Sequence, residues 1–507
     1  MSVPPRLSMA TLPSAAGAGM RAPRIDPAAL DIGIVHLGIG AFHRAHQAVY
    51  TEDALAAAGE SDWGICGVTQ RSAHVRDQLV PQDGLYTVLQ RGTGAREPRL
   101  VGSVRQVLAT TEDDVVARLA DPAVRVVTLT VTEKGYRLDR HGEPDLRDAG
   151  VRADLAGHAG AGHRPRTVVG TLVSALARRR AGHGRGLSLV SCDNLPGNGS
   201  VLRKLVTGFC AALPAPGGED LAAWVAREVS FPSTVVDRMV PTTRSGDRDE
   251  IARTFGVTDA AVVVAEPFRQ WVVQDDFAAG RPAWDRAGAL LTADVTPYEA
   301  VKLRLLNAAH SLLAYTGALA GHETIAAAVA DPELAAAAAA LMVHDASPTL
   351  RPPAGLELSG YCDAVLRRFA NPALGHRTLQ VAADGSLKLP IRVLGTVRDR
   401  LAAGTEPTWA ALAVAAWMVL LVRGRTDDDR VLAVEDPMLG HLRTQLGRLC
   451  DRPRPHDAAR IVAVLLGVTE IFGDDLPAHP VFRDLLTAHV ARLLTPTPRR
   501  PSRSAGS

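Results

Sequence analysis

The run 298–317, YEAVKLRLLNAAHSLLAYTG, sets a lysine, an asparagine and a histidine inside an otherwise apolar helical stretch. At roughly 100° per residue, Glu299, His310 and Asn307 fall roughly 60°, 80° and 140° around the helix from Lys302. Leu303 and Leu306 share that arc, so the polar groups do not form a solvated stripe. A lysine in such a setting is costly to bury as a cation, and its pKa is expected to fall toward neutrality. That is the range in which a general acid/base works best near neutral pH. On these residues alone, a half-buried helix whose lysine reaches back to water stands as the alternative.

The elements that must position such a group are legible in outline. Of the 507 residues, 47% are hydrophobic and the formal net charge is +2, enough for two or three domains with real cores. The charge balance argues against a nucleic-acid partner. Five cysteines stand apart without CxxC pairing, which suits a reducing compartment and offers no zinc framework. Neither a signal-peptide core nor a membrane-length apolar run stands out; AALAVAAWMVLLV (410–422) reads as a core helix. A cytoplasmic protein, monomeric or weakly self-associating, is expected.

Residues 1–27, rich in Pro, Ala, Gly and Ser, read as a disordered lead. From 28 to 293, strands alternate with helices, which implies a mostly parallel sheet. DIGIVHLGIGAFHRAHQ gives a first strand over Ile32–Leu37, a tight turn at Gly38 and Gly40, then a helix, as in a dinucleotide-binding βα unit. His43 stands where the third glycine of that fingerprint would be, so a plain βα turn explains the pattern equally well. The second strand, within 63–71, ends without an acid in TQRSAH, so these residues leave the choice between NAD and NADP open, and Arg71 keeps NADP possible. Further strands end at Thr132 and Glu133 and at Asp193 and Asn194, where ligands of parallel sheets sit and where loop-capping polar residues also occur. The segment 261–277 reads as paired strands with Phe268 and Trp271 in the core and Arg269 facing either Asp275 and Asp276 or a substrate. From 294 to 496 the pattern is mainly helical, with one polar loop carrying His376, Arg377 and Lys388; 497–507 reads as a disordered basic tail.

Six motifs, GIGAFHRAHQ (38–47), TVTEKGY (130–136), SCDN (191–194), VDRMVP (236–241), EPFRQWV (266–272) and KLRLLNAAHS (302–311), together resemble the long-chain polyol dehydrogenase family. That family includes mannitol 2-dehydrogenase and fructuronate reductase, and the resemblance spans nearly the whole chain. It implies a Rossmann-type domain, a helical C-terminal domain, an active site between them, and zinc-independent hydride transfer. By the same resemblance Lys302 is the acid/base, Asn194 and Asn307 hydrogen-bond the reacting oxygen as charge develops, His310 orients Lys302 or a substrate hydroxyl, and Glu299 leads protons to solvent. The implied cofactor set is Gly38, Gly40, Ala41, Phe42, Arg44, Arg71, Thr132, Glu133 and Asp237.

Within the family, Gln380, Lys134 and Arg269 lean toward fructuronate reductase and away from mannitol dehydrogenases. Extra cations suit a substrate carboxylate, with Arg377 as the bidentate partner and His376, Lys388, Lys134 and Arg269 around it. The expected reaction interconverts D-fructuronate and D-mannonate. CDNLP, a spelling of mannitol dehydrogenases, favours the rival in which a neutral polyol is the substrate. A catalytically idle nucleotide sensor has no reason to keep a proton-transfer lysine. The string Tyr298-x-x-x-Lys302 matches the short-chain dehydrogenase pair but lies beyond the Rossmann part.

Overall fold

The computed structural model describes residues 4–70, 72–92, 98–139, 141–158 and 163–495. The chain divides into two compact units, Met1–Thr296 and Pro297–Ser507.

In the first unit, short runs of β-branched and aliphatic residues form six parallel strands: β1 (Ile32–Leu37), β2 (Gly64–Thr69), β3 (Val104–Ala109), β4 (Val126–Leu129), β5 (Leu187–Ser191) and β6 (Val229–Ser230). Their spatial order is β3-β2-β1-β4-β5-β6, and every neighbouring pair runs parallel. Both faces of this sheet are covered, so β1, β2 and β4 read as nearly continuous apolar runs. Side-chain alternation splits them between two cores. Val35, Leu37, Val127 and Leu129 pack with the helices Val168–Gly182, Asn198–Ala211 and Gly217–Glu228. Ile34, Ile65 and Val126 face the helix Gln47–Ala58 together with Trp271 and Trp284.

Two small three-stranded sheets complete the unit. One joins Val263–Ala265 to Tyr86–Gln90 and Pro98–Val101; the other joins Leu290–Thr292, Gln270–Gln274 and Thr234–Asp237. The expected pairing within 261–277 is therefore corrected: its two strands belong to different sheets. Trp271 is buried as expected, whereas Phe268 is exposed.

The lead is corrected too. Residues 4–27 are ordered against the first unit, with Leu7, Ala15 and Met20 buried among Leu85, Leu89, Leu100, Ile251 and Val262. Thr258 is hydrogen-bonded to the lead across this contact, accepting from Leu7 N at 2.9 Å and donating its N–H to Pro5 O at 2.8 Å. Composition suggested disorder because the apolar residues are sparse. Three of them suffice once a partner surface is supplied from elsewhere in the chain. The basic tail, 497–507, lies outside the described residues.

The second unit is helical. The segment 410–422 lies inside the helix Thr408–Arg423 and is buried all round, as an apolar-on-every-face helix must be. It packs with the helices Ala308–Leu319 and Pro480–Leu494. The architecture is thus the expected one, a Rossmann-type parallel sheet unit followed by a mainly helical unit. No helix among the described residues is long and apolar enough to cross a membrane.

Candidate active site

The order β3-β2-β1-β4-β5-β6 reverses direction between β1 and β4, and in open parallel sheets ligands bind beyond the carboxyl ends at such a point. β1 ends there in the turn 38–40. Gly38 has φ 94°, and a Cβ on it would lie 2.3 Å from the carbonyl oxygen of Thr130. Its N–H and that of Ile39 both donate to Val68 O, at 2.9 and 3.1 Å, so the turn is held at the end of β2. Gly40 is different: its missing Cβ would meet nothing nearer than 3.7 Å. The backbone is therefore open at Gly40, as a cradle for a pyrophosphate requires, and the residues present fit a dinucleotide.

Beneath the turn, His36 is fully buried between two threonine hydroxyls, Nδ1 to Thr128 at 2.7 Å and Nε2 to Thr130 at 2.8 Å. Thr130 donates its own proton to Gly38 O at 3.0 Å. The Thr130 oxygen must then accept from Nε2–H, which assigns the neutral tautomer with Nδ1 accepting from Thr128. Burial pushes the His36 pKa down to about 3. His43 stacks on this ring at 3.4 Å between centroids.

The expected cofactor residues separate on inspection. Ala41 and Phe42 are half-buried just after the turn, and Phe42 stacks on His46. Arg44, expected among the cofactor residues, is buried, and its guanidinium donates to the carbonyls of Gly40 and Ala261. Its charge supports the turn from behind. Thr132 and Glu133 are exposed in the loop after β4. Asp237 is buried at the end of Thr234–Asp237, paired with Gln270. Arg71 lies outside the described residues.

Sequence reasoning passed over the roles of Asp193 and Tyr136. The Asp193 carboxylate accepts from the N–H groups of Val131 and Thr132, at 3.1 and 2.9 Å, and from the Tyr136 hydroxyl at 2.8 Å. It thereby joins the TVTEKGY and SCDN motifs, and exposed Asn194 follows it directly. Both motifs were visible in the chain; that one side chain ties them was not.

Of the expected substrate cations in this unit, Lys134 is exposed on the turn Glu133–Tyr136. Arg269 is committed elsewhere. It donates to Asp53 at 2.8 Å and covers the Tyr50 ring at 4.3 Å, within a buried ionic cluster that includes Arg99 and Glu52. Its expected alternatives, Asp275 and Asp276, are not its partners; Asp275 pairs with Arg281 at 2.8 Å. The carboxylate of Asp53 could not be foreseen because it comes from 216 residues away.

In the second unit, Lys302 and Asn307 are both buried, 7% exposed each, and bound one π-helical turn, Lys302–Asn307. The angles expected for a regular helix are therefore corrected. In a π-turn, hydrogen bonds reach the fifth residue instead of the fourth, and the widened turn swings Asn307 toward the face that carries Lys302. Such turns occur frequently at functional sites. Glu299 sits half-buried in the preceding turn, Thr296–Val301. His310 stacks on Phe369 at 4.8 Å and leans on His376 at 5.4 Å. Burial holds its pKa well below the usual histidine value, and the neighbouring charges of His376, Arg392, Lys388 and Arg368 act in the same direction. His376 is itself lowered by burial.

The polar loop thus brings His376 and Lys388 to His310. Lys388 also donates to the carbonyls of Val381 and Ala383, closing the end of the turn Thr378–Ala382. Arg377 is exposed at the start of that turn, and its backbone bridges to Thr324. Arg392 and Arg368 were not singled out from the sequence. The spacing of Lys388 and Arg392, four apart in a helical run, was the available signal. Arg392 donates to Ser311, the residue after His310, at 3.1 Å.

A parallel sheet in this order, with a glycine turn at its switch point, defines the first unit as dinucleotide-binding. The mannitol dehydrogenase Rossmann domain matches residues 32–286, and the mannitol dehydrogenase C-terminal domain matches 294–494. The D-mannonate oxidoreductase of Escherichia coli (strain K12) is 41% identical over 478 residues, 93% of this chain and 95% of that protein. The mannitol 2-dehydrogenase of Cereibacter sphaeroides is 37% identical over 93% of this chain and 95% of that protein. Among solved structures, the Pseudomonas fluorescens mannitol 2-dehydrogenase in ternary complex with NAD and D-mannitol superposes with a TM-score of 0.86 at 36% identity, covering 96% of both chains. The chain belongs to the mannitol dehydrogenase family of oxidoreductases.

Proposed function

We propose that this protein interconverts D-fructuronate and D-mannonate with NAD as its cofactor. The observation that carries the substrate half is the set of cations near His310: Arg392, Lys388 and Arg368 all act on its ring, and Arg392 is bonded to the adjoining Ser311. A site so biased favours a substrate carboxylate over a neutral polyol of the same shape. The 41% identity to a D-mannonate oxidoreductase supports the same reading. Gly38, Gly40, Ala41, Phe42, Thr132, Glu133 and Asp237 are assigned to the cofactor, which when bound supplies or takes up the hydride.

Lys302 is assigned the proton. In the reducing direction its ammonium protonates the carbonyl oxygen; in the oxidising direction neutral Lys302 removes the hydroxyl proton, so oxidation quickens with pH through the Lys302 pKa. Asn307 and Asn194 hydrogen-bond the oxygen as negative charge grows on it. His310, kept neutral by burial, orients Lys302 or a substrate hydroxyl, and Glu299 carries protons to solvent. His376, Arg377 and Lys388 are assigned to the substrate, and Arg392 joins them on the strength of its place beside Ser311 and His310. Lys134 remains with them; Arg269 does not.

A neutral polyol is the second reading, favoured by the likeness to a mannitol 2-dehydrogenase complex that contains D-mannitol. Initial rates of reduction of D-fructuronate and of D-fructose, each with NADH and with NADPH, separate the two. A preference for fructuronate that Arg377→Ala or Arg392→Ala removes supports the carboxylate site. A preference for fructose overturns it and leaves the Lys302 chemistry standing. Faster turnover with NADPH would move the cofactor to NADP.

A further inference from the structure

Thr132 stands in a backbone conformation that its own side chain opposes. Its φ of 66° and ψ of 160° fall in a region that is essentially glycine's, and a residue there persists only when its surroundings over-determine it. Those surroundings are explicit. The Asp193 carboxylate takes the N–H of Thr132 and of Val131, at 2.9 and 3.1 Å. Tyr136, fully buried, holds the same carboxylate at 2.8 Å and is bonded to Ser191 at 2.6 Å. The Thr132 carbonyl accepts from Gly135 N at 2.9 Å.

Glycine would adopt this turn without strain. What threonine adds is a side chain, and that side chain is exposed, so it does not serve the core. It stands two residues past Thr130, whose carbonyl abuts Gly38 at the switch point. The half of such a sheet beyond the switch takes the second mononucleotide of a dinucleotide.

We propose that Asp193 is a positioning residue that holds Thr132 in its strained conformation, so that the Thr132 hydroxyl contacts the nicotinamide nucleotide of the cofactor. The proposal rests on the reading of the first unit as an NAD site. Asp193 touches neither the substrate nor the cofactor; it acts through Thr132 and fixes the start of the segment carrying Asn194.

The test measures NAD+ affinity by titration calorimetry and amide exchange at Val131 and Thr132 in the full chain. Asp193→Ala should weaken NAD+ binding at least tenfold and abolish protection of both amides. Thr132→Ser, which keeps the hydroxyl, should bind within twofold of wild type, whereas Thr132→Val should lose about fivefold or more. In a Thr132→Gly background, Asp193→Ala should cost threefold or less, because no side-chain hydroxyl is left to position and glycine enters the turn without strain. A merely structural aspartate would cost the same in both backgrounds, and that result overturns the proposal. So does Asp193→Ala binding NAD+ as wild type does, or Thr132→Val binding like Thr132→Ser. Should Asp193→Ala not fold, Asp193→Asn replaces it; because it keeps one acceptor, loss of protection is then expected at one of the two amides, with weaker NAD+ binding, and full protection of both with wild-type binding overturns the proposal. If wild type binds no NAD+, the cofactor reading and the hydroxyl contact fall together, while exchange at the two amides still decides whether Asp193 is the clamp.

Discussion

Gly38 and Gly40 lie in one turn but are required for different physical reasons, and alanine at each separates them. At Gly38, alanine meets two costs. A left-handed backbone costs about 1–2 kcal/mol for a residue with a Cβ. A Cβ placed 2.3 Å from Thr130 O also forces the end of β4 to move, because the obstacle is backbone and not a flexible side chain. Overpacking of that kind costs about 1–3 kcal/mol. The sum, roughly 2–5 kcal/mol, should lower the thermal midpoint of the first unit by on the order of 10 °C. Gly40→Ala has neither cost: its φ is −96° and the nearest atom to a new Cβ is 3.7 Å away. Its stability should stay within about 0.5 kcal/mol of wild type. The methyl would instead occupy the open cradle, so NAD+ binding should weaken at least tenfold. Scanning calorimetry and NAD+ titration on both variants make the comparison. If Gly40→Ala is destabilised as much as Gly38→Ala, or if it binds NAD+ normally, the assignment of the cradle to the cofactor is wrong.

Three further expectations follow from the same structure. Lys302→Ala should lose several powers of ten in turnover while NAD+ affinity is kept; turnover within tenfold of wild type would remove Lys302 from the mechanism. His36 and His46 are held neutral by burial with pKa values down to about 3, so the unfolded chain binds protons there that the folded chain does not. Their contribution is present in full above the unfolded value of 6.5 and drains as the pH falls toward 3, by about 2 kcal/mol for each histidine at pH 5. Urea midpoints measured from pH 7.5 to pH 5 should fall accordingly, and a flat profile would contradict the burial argument. Leu7→Ala should cost about 2–4 kcal/mol by leaving a cavity under the lead, and an unchanged denaturation midpoint would return residues 4–27 to the status of a loose segment.

Much of this protein was legible along the chain because the relevant signals are short-range. The continuous apolar runs of β1, β2 and β4 and their spacing announce a parallel sheet, because alternation extends over a few residues and needs no knowledge of partners; the glycine turn between 38 and 40 read equally well as a plain βα turn until the fold set it at the switch point. Lys302, Asn307 and His310 were visible as polar groups inside an apolar helical run, but their spacing alone fitted a half-buried helix as well as a site, and their roles came from the family resemblance. The π-turn that draws Asn307 toward the Lys302 face was not legible, because a regular period is the only one a sequence can be assumed to follow.

What tertiary structure decided was the use of each charge. Arg44 and Arg269 carry the same side chain as Arg392, yet the first two are spent on buried carbonyls and on Asp53, while Arg392 stands beside His310. Nothing in the local spelling distinguishes them, since the partner in each case comes from a distant segment. The lead at 4–27 was misread for the same reason: its three apolar anchors count for little until residues 85–100 and 251–264 supply the surface they cover. Asp193 is the clearest case. From the sequence it is the polar end of a strand; in the fold, two backbone amides and a buried tyrosine converge on it, and a threonine is held where only glycine would rest freely. Periodicity specifies which elements form, and burial and long-range pairing then determine what each polar group in them does.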